Sequence, residues 1–422
     1  TVTPSATPTA STTPTPFPYA TLDGTRPTPE TAVPTPVPTF AVPESVTLIA
    51  LLGNDNPGLT GGRTDSIILV AVDRQAHTAT LLSLPRDLYV PVPGWQMARL
   101  NQAYPHGNAL PTPGAGRALL SETLLWSFGL PVDHTVRVGF DGFKQLIDAL
   151  GGVEVPVTCA LRDWRLKSPE LDPTVEENWE QFTLEAGVHR MDGELALWYA
   201  RSRRTSSDFE RGRRQQQVLH AMANGVLSQN LLPQLPQLWE TYRDAIATDL
   251  TLPAVLELAA LAPAVRANGI RHLTLPYAAF ESWQVPDSGA AVQLLRWEAA
   301  APTLQQLLTP GGLGRGARPI TVEIVSSSEA LFRLAAENLA WFGIGATWTQ
   351  VGEETAVTTL TLHAPNDKGA YAYLVAWAFD RRAADVQLLG DADYPTTYTV
   401  HLGTDFNPCR PLLLAPAADE SG

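Results

Sequence analysis

Six arginines lie within fourteen residues of a chain whose formal net charge is -14: Arg201, Arg203, Arg204, Arg211, Arg213 and Arg214. The guanidinium group keeps its proton and can donate two parallel hydrogen bonds to a pair of phosphate oxygens. A local cationic cluster in an acidic protein is therefore typical of an anion site, and a polyphosphate suits it best. The chain has only three lysines, so the arginine excess is equally consistent with a GC-rich coding sequence.

The overall acidity excludes one class of partner. Proteins that coat nucleic acid need a broad basic surface that releases counterions from the phosphate backbone, so we expect no nucleic-acid partner. With 422 residues, of which 44% are hydrophobic and 17% charged, the composition is that of a soluble globular protein. Its length is sufficient for more than one domain.

Short apolar runs at 46–52, 66–72 and 78–84 predict buried strands, and the polar link between the last two predicts a hairpin. Charged side chains stand where these runs begin or end, at Asp55, Arg63, Asp65, Arg86 and Asp87. Loops at strand ends hold such groups in place and leave them accessible. Two carboxylates at the ends of adjacent strands can share Mg²⁺, although Asp55 and Asp65 taken alone are more typical of turns and caps.

Helical patterns alternate with strands along most of the chain, at about 114–128, 141–150, 192–200, 211–229, 236–247 and 253–266. This order predicts the α/β class, with a layered α/β/α domain around a central mixed sheet at 45–309. A Gly-rich linker at 310–318 follows. We predict a second, small α/β domain with the order β-α-β-β-α-β at 319–406, and a tail at 407–422.

Residues 1–44 are rich in Thr and Pro and nearly free of charge. Such a segment favours extended polyproline II geometry and is typical of a spacer that holds a domain away from a surface. The sequence has no run of about 18 to 20 apolar residues that would span a membrane. Because the chain begins with Thr1 rather than Met, we expect an N-terminal signal-anchor helix to precede it in the full-length gene product.

Several of these segments resemble, in the same order, motifs of the LytR-CpsA-Psr family: Gly53-Asn54-Asp55, Gly62-Arg63-Thr64-Asp65-Ser66, Ser83-Leu84-Pro85-Arg86-Asp87, Arg99-Leu100-Asn101, Tyr199-Ala200-Arg201-Ser202-Arg203, Asp208-Phe209 and Arg211-Gly212-Arg213-Arg214-Gln215. The resemblance covers roughly residues 45 to 230. The last domain is similar to the accessory domain that often follows in that family. Several independent motifs in the right order make the resemblance specific.

The resemblance implies a membrane-anchored enzyme at the extracellular face of the cell membrane. Such an enzyme transfers a glycopolymer from an undecaprenyl-pyrophosphate carrier to peptidoglycan and forms a phosphodiester. By match to the family, Asp55 and Asp65 would hold Mg²⁺. The residues that would bind the pyrophosphate are Arg63, Arg86, Arg99, Arg201, Arg203, Arg211 and Gln215, and those placed at the reacting centre are Arg63, Arg86, Asp87, Arg201 and Arg203.

Some of these residues have more than one plausible role. Asp87 is either a base for the incoming hydroxyl or an ion-pair partner that orients Arg86. Arg99 stands where the family commonly has lysine, whose donor geometry differs. We expect Arg204 and Arg213 to face solvent or to pair with Asp208 and Glu210.

Three other polar side chains of these motifs have expected structural roles or none assigned. Asp208 itself is expected to cap or pair rather than to touch substrate, Asn101 is expected to brace a loop, and Arg214 stays unassigned.

Two cysteines, Cys159 and Cys409, lie far apart and form no metal-ligand spacing with the histidines. A disulfide is chemically allowed outside the cell, but two separate buried thiols are the interpretation that we favour.

The carrier lipid needs an apolar slot, which the helical segments 114–128 and 211–229 could line, although their apolar residues are equally typical of a core.

Two other functions stay open, and the first uses the same residues. A polyprenyl-pyrophosphate hydrolase differs from a transferase only in whether water or a sugar hydroxyl attacks. A non-catalytic module that binds polyprenyl phosphate or wall polymer is the third possibility, and the small last domain suits it because it has no cluster of catalytic side chains.

Overall fold

The computed structural model describes residues 34–59, 61–203, 207–268, 270–286, 288–309, 320–363, 372–389, 391 and 394–410. Most of the predicted spacer, the predicted Gly-rich linker and Arg204 lie outside these residues. None of the described helices is long and apolar enough to cross a membrane.

The part before residue 310 combines strands and helices as predicted, but the strands come in runs, and the run at 153–191 was not predicted. The strands are β1 (Val46–Asn54), β2 (Thr64–Asp73), β3 (Thr78–Ser83), β4 (Tyr89–Pro91), β5 (Met97–Arg99), β6 (His134–Val138), β7 (Val153–Val157), β8 (Leu161–Leu166), β9 (Trp179–Leu184), β10 (Gly187–Met191), β11 (Ile246–Thr248), β12 (Ile270–Thr274), β13 (Phe280–Gln284) and β14 (Ala291–Leu295). The α-helices are α1 (Ala103–Asn108), α2 (Ala115–Phe128), α3 (Phe140–Ala149), α4 (Gly193–Arg201), α5 (Asp208–Ser228), α6 (Leu235–Tyr242), α7 (Leu252–Asn268) and α8 (Trp297–Leu308).

The central sheet has the strand order β11-β6-β1-β2-β3-β12. Strand β1 runs antiparallel to β2 and parallel to β6, and β2 forms the predicted hairpin with β3. Neighbouring side chains of β1 point to opposite faces, yet Leu48 and Ile49 are both buried, at 0% and 6% exposure. Both faces of the strand are therefore covered, which explains its continuous apolar sequence. The predicted α/β class and central mixed sheet are confirmed.

One predicted helix is too long. The pattern at 236–247 predicted a single helix, but α6 ends at Tyr242 and Ile246–Thr248 form β11. Strand β11 pairs antiparallel with β6 and completes one edge of the sheet. Pairing with the sheet edge therefore outweighs the helical pattern at these three residues.

The last unit contains β15 (Thr321–Ser326), α9 (Glu329–Ala340), β16 (Gly345–Gln350), β17 (Thr359–Leu362), α10 (Ala372–Ala378), β18 (Val386–Leu388) and β19 (Tyr398–His401). Its sheet has the order β16-β15-β19-β17-β18 and its own apolar core. The predicted order β-α-β-β-α-β lacked one strand, because the three-residue β18 is too short to give an alternating pattern. This C-terminal unit, residues 320–410, is small and layered as predicted.

A disulfide joins Cys159, beyond β7, to Cys409, beyond β19, and the two Cα atoms are 4.4 Å apart. The preference for two separate thiols was therefore wrong. The sequence offers no signal for this pair, because 250 residues separate the cysteines and only the docking of the C-terminal unit brings them together.

The final residues of the predicted spacer pack on the folded chain. The backbone N–H of Val37 donates to Trp126 O, and that of Phe40 donates to Gly129 O, at 3.0 and 2.9 Å. The Phe40 ring lies 5.6 Å from that of Trp297. Part of this segment is thus fixed to α2 and α8 instead of extending into solvent.

We expect replacement of both cysteines by serine to lower the free energy of unfolding by about 2 to 5 kcal/mol, because the crosslink closes a very long loop of the unfolded chain. Urea unfolding measures this change, and wild-type protein in reductant should match the double variant. Equal unfolding midpoints for oxidised wild type and the double variant would show that the crosslink does not stabilise the fold.

Candidate functional site

The first part of the site is the loop between β1 and β2. The ladder between these strands shifts register between Gly53 and Asn54, which bends β1 just before Asp55. The Asp55 carboxylate then accepts hydrogen bonds from the backbone N–H of Arg63 at 2.5 Å and from its Nε at 3.3 Å. Gly62 has φ +73°, and a Cβ there would lie 2.8 Å from Asp55 Oδ1, so the close loop requires glycine.

A buried arginine that sequence reasoning missed holds this loop in place. Arg137 on β6 is 2% exposed and donates to the carbonyl oxygens of Leu59 and Gly61, both at 2.6 Å. Burial lowers the pKa of Arg137, whereas Tyr104 and Asp55 raise it. The signal in the sequence was an arginine within an otherwise apolar strand pattern, where a charge is retained only if it has partners.

Asp65 is the second carboxylate, and it lies within β2 rather than before it. Its Oδ2 forms an ion pair with Arg86 Nη1, and its Oδ1 accepts from Asn101 Nδ2 at 3.1 Å. Asn101 therefore orients Asp65 in addition to bracing its loop. Asp87 lies 3.4 Å from Arg86 Nε and 3.4 Å from Arg99 Nε, so it pairs with both arginines.

The third part of the site is the start of α5. Ser207 is its N-cap, since Ser207 Oγ accepts from the backbone N–H of Glu210 at 3.2 Å. Asp208 is therefore not the cap; it forms ion pairs as expected, but with Arg203 Nη2 at 3.1 Å and Arg211 Nη2 at 3.5 Å. A single carboxylate thus faces two arginines at the positive end of the helix dipole.

Arg211 is buried, at 7% exposure, and its charge is only partly compensated. Burial lowers the pKa of Arg211 to about 10. The negative charge of Asp208 partly offsets this effect, and that of Asp65 does so to a smaller extent, whereas the positive charges of Arg203 and Arg86 lower the pKa further. The side chain remains protonated at neutral pH. Because its folded pKa lies below the unfolded value, the charge opposes folding at neutral pH, and an anion in the site would remove that cost.

Arg201 interacts electrostatically with the same carboxylates, Asp55 and Asp65. Its guanidinium lies over the Phe140 ring, 4.0 Å from the centroid. Removal of water lowers the pKa of Arg201, and the fields of Asp65 and Asp55 raise it. Both predicted metal ligands therefore act on one arginine, which brings the β1–β2 loop and the end of α4 to a common site.

Gln215 is already engaged by the protein. Its Oε1 accepts from Ser66 Oγ at 2.9 Å, and its Nε2 donates to the Ala200 carbonyl at 3.2 Å. Helix α5 approaches β3 closely at Gly212, where an added Cβ would lie 3.2 Å from Ser83 Cβ. Gln215 thus ties α5 to β2 and α4 beside Asp65.

A cleft lies between these elements. Its polar lining includes Asp65, Ser66, Ser83, Arg211 and Gln215. Its apolar lining includes Ile67, Leu84, Phe209, Leu275 and Phe280. The rings of Phe209 and Phe280 meet edge to face with centroids 5.8 Å apart. A cleft that joins the buried cation of Arg211 to an apolar wall suits an amphiphilic anion.

Two arginines of the cluster have other positions. The expectation that Arg213 faces solvent was wrong: it is 2% exposed and donates to Asn338 Oδ1 at 2.7 Å and to the Arg410 carbonyl at 2.9 Å. Arg214 is also buried, and its Nε donates to the Tyr199 carbonyl at 3.0 Å. Both side chains hold α5 in place and neither reaches the cleft.

The two helical segments predicted as a lipid slot lie in different cores. Leu119, Leu120 and Leu124 of α2 belong to the core of the central sheet. Val218 of α5 belongs to a second core with α3, α4 and β7, with Met222 packed against it. Helices α2 and α5 therefore do not form a common slot, and the apolar wall of the cleft was missed because it combines residues from distant segments.

The oxygen atoms near Asp55 and Asp65 fit a hard divalent cation. Asn54 Oδ1 and Asn101 Oδ1 are buried and have no hydrogen-bond partner among the described residues. Asn54 Oδ1 lies 2.5 Å, and Asp55 Oδ1 2.8 Å, from the position of a Cβ on Gly62. Each carboxylate oxygen has two lone pairs, so the hydrogen bonds present leave capacity for a cation.

Within the described part of the chain, no group of three or more His, Cys, Asp or Glu side chains could hold a metal ion. Two carboxylates completed by water and phosphate oxygens are the set that Mg²⁺ commonly uses.

Comparison with known proteins supports the family resemblance that the motifs indicate. The model of the LytR_cpsA_psr family matches residues 26–307. The polyisoprenyl-teichoic acid–peptidoglycan teichoic acid transferase TagT of Bacillus subtilis is 30% identical over 217 residues, which are 51% of this chain and 62% of that protein. The probable cell wall biosynthesis protein LcpB of Corynebacterium glutamicum is 34% identical over 227 residues, which are 53% of this chain and 49% of that protein. The chain thus spans less than two thirds of the length of either relative.

A solved structure has the same fold. The crystal structure of Bacillus subtilis TagV aligns with a TM-score of 0.51 and 25% sequence identity, and it covers 64% of this chain and 100% of that chain.

We expect inorganic pyrophosphate to stabilise the protein, by about 2.7 kcal/mol at a hundred times its Kd. Arg211→Gln should reduce this stabilisation strongly without abolishing it, because Arg86 and Arg201 remain, and should leave the free protein at least as stable, because a poorly compensated buried cation is removed. Thermal unfolding with and without pyrophosphate measures both effects. Arg243→Gln, at a side chain that is 56% exposed, is the matched control and should behave as wild type. An undiminished pyrophosphate response in Arg211→Gln would exclude this site.

Proposed function

This chain belongs to the LytR-CpsA-Psr family, and we propose that it is a phosphotransferase of the cell envelope that transfers a glycopolymer from a polyprenyl-pyrophosphate carrier to peptidoglycan. The single observation that supports this most strongly is the cluster of partly compensated arginines around Asp65, next to an apolar wall. The relatives named as teichoic acid transferases support the reaction class. The family also supports a location at the outer face of the membrane, where the polymer and its acceptor meet.

The arginines would bind the pyrophosphate as a clamp. Arg86 is oriented by Asp65 and Asp87, Arg211 is oriented by Asp208, and the Phe140 ring fixes the plane of the Arg201 guanidinium. Fixed, partly dehydrated donors stabilise the charge that develops in phosphoryl transfer better than water does. Arg63 and Arg203 are more exposed, with side-chain exposures of 54% and 42%, so they could exchange their ion pairs with Asp55 and Asp208 for contacts to a bound ligand.

In the reaction, a sugar hydroxyl of peptidoglycan attacks the phosphorus that bears the glycopolymer. The new P–O bond joins polymer phosphate to acceptor, and the P–O bond to the lipid phosphate breaks, so that polyprenyl monophosphate leaves. Asp87 would take the hydroxyl proton. The transition state of phosphoryl transfer is loose and the proton can leave late, so a carboxylate is sufficient as the base.

Asp55 and Asp65 would hold Mg²⁺, with Asn54 and Asn101 as neighbouring oxygen donors. When bound, the ion would neutralise charge on the pyrophosphate oxygens. The apolar lining of the cleft, Leu84, Leu275 and Phe280 in particular, would receive the first isoprene units of the carrier.

The experiment that tests the function incubates the protein, Mg²⁺ and a polyprenyl-pyrophosphate-linked sugar with and without a peptidoglycan acceptor. Conjugate that forms only with the acceptor supports transfer. Equal release of lipid monophosphate in both reactions would instead identify a hydrolase, and binding without turnover would identify a binding module.

Arg86→Lys is expected to lower the rate of transfer at least a hundredfold. Lysine keeps the charge but cannot contact Asp65 and Asp87 with separate nitrogens while also donating to a phosphate. The measurement is kcat in the transfer assay, with Arg243→Lys as the control that should retain wild-type activity. If Arg86→Lys keeps most of the rate, charge alone is sufficient there and the geometric role is excluded.

Asp65→Asn is expected to raise the Mg²⁺ concentration required for half-maximal activity by tenfold or more, because one negative ligand is lost. A Mg²⁺ titration of the transfer reaction measures this shift. Asp244→Asn, at a fully exposed side chain, should leave the titration unchanged. Coinciding curves for wild type and Asp65→Asn would argue against metal binding by Asp65.

A further inference from the structure

Helix α5 contacts a different neighbour on each of its faces. Arg211 and Gln215, one turn apart, line the cleft. The next face, Gly212 and Gln216, lies against β3, where Gln216 Nε2 donates to Ser83 Oγ at 2.7 Å. The position of Arg211 and Gln215 is therefore set by whatever holds the other faces of this helix.

The face opposite the cleft is held by the C-terminal unit. Arg213 inserts its guanidinium between Asn338 Oδ1, at 2.7 Å, and the Arg410 carbonyl, at 2.9 Å, and lies 5.8 Å from the centroid of the Trp341 ring. All three partners belong to the C-terminal unit. Withdrawal of that unit would leave a buried arginine without these acceptors, which is strongly unfavourable.

The acceptors of Arg213 are themselves fixed. Asn338 is fully buried, and its Nδ2 donates to the Pro408 carbonyl at 3.0 Å and to the Ala378 carbonyl at 3.3 Å. Cys409, between Pro408 and Arg410, forms the disulfide with Cys159 of the first domain. The segment that receives Arg213 is thus bonded to both sides of the interface.

Two further contacts continue the same interface. Gln217, one turn beyond Arg213, donates to Glu337 Oε1 at 2.9 Å. His272 stacks on Trp341, with centroids 4.8 Å apart, and its Nδ1 lies 2.6 Å from Gln216 Oε1. Burial lowers the pKa of His272 to about 3, so the neutral ring donates to Gln216 at physiological pH.

We propose that the C-terminal unit positions the pyrophosphate clamp, and that Arg213 is the positioning residue through which it fixes Arg211 and Gln215. The inference rests on the proposed function, because it assigns the C-terminal unit a part in that same site. A displacement of a clamp donor by about 1 Å is sufficient to lower a rate by two orders of magnitude. A helix held by a buried arginine on its far side resists such a displacement.

The test compares the full chain with Arg213→Met, which keeps the aliphatic stem and removes the donors. Binding of inorganic pyrophosphate is measured by calorimetry, and kcat and KM for transfer are measured in parallel. Arg213→Met is expected to weaken pyrophosphate binding at least tenfold, and Arg213→Lys, which keeps one donor, is expected to restore part of the affinity. Arg333→Met removes a different contact between the two units, the ion pair with Glu154 at 2.7 Å, and should bind as wild type.

The decisive comparison is made in the Arg211→Gln background. If Arg213 acts through Arg211, Arg213→Met adds little to the loss caused by Arg211→Gln, whereas a general loss of folding would add to it in full. If Arg213→Met does not fold, Arg213→Lys is compared in the same two backgrounds with the same expectation. Wild-type affinity in a folded Arg213→Met protein, or full additivity, would overturn the inference. A wild-type protein that does not bind pyrophosphate would instead contradict the proposed function.

Discussion

The charge balance around Asp65 is the constraint on which the rest of the site depends. One carboxylate pairs with Arg86, is oriented by Asn101, and extends its field to Arg201 and Arg211. Six arginines of the site meet four carboxylates in a partly dehydrated space, so the folded chain holds unneutralised positive charge: Arg63, Arg86, Arg99, Arg201, Arg203 and Arg211 against Asp55, Asp65, Asp87 and Asp208. Contacts elsewhere in the fold must therefore offset the mutual repulsion of these guanidinium groups.

That stability comes from buried contacts behind the site. Arg137 donates hydrogen bonds to carbonyl oxygens of the loop that carries Asp55, and Ser207 caps the helix that carries Arg211. Arg213 and Arg214 fill the other faces of that helix with hydrogen bonds to carbonyl and carboxamide oxygens. The arginine cluster therefore has two parts. Some side chains, such as Arg211, line the anion site, and others, such as Arg213 and Arg214, hold the helix that carries Arg211 in position.

The sequence predicted the elements and motifs of the site well, but not this division. Continuous apolar runs predicted β1, β2 and β3, and the charged residues at their ends do meet, because hairpin pairing determines where strand ends lie. The sequence gives no means to distinguish Arg211 from Arg213, since the distinction depends on a C-terminal unit that docks on the far side of α5. The Cys159–Cys409 pair and the Phe209–Phe280 wall were missed for the same reason: each joins segments whose proximity only the tertiary fold creates.

The most direct measurement of the central claim follows the phosphorus next to the glycopolymer. A polyprenyl-pyrophosphate carrier labelled with ³²P at that position is incubated with the protein, Mg²⁺ and peptidoglycan, and the wall material is then digested to fragments. The label should appear in a phosphodiester between polymer and peptidoglycan fragment, and the lipid monophosphate should be unlabelled. Peptidoglycan without label, with the ³²P released on soluble polymer phosphate, would contradict a transferase.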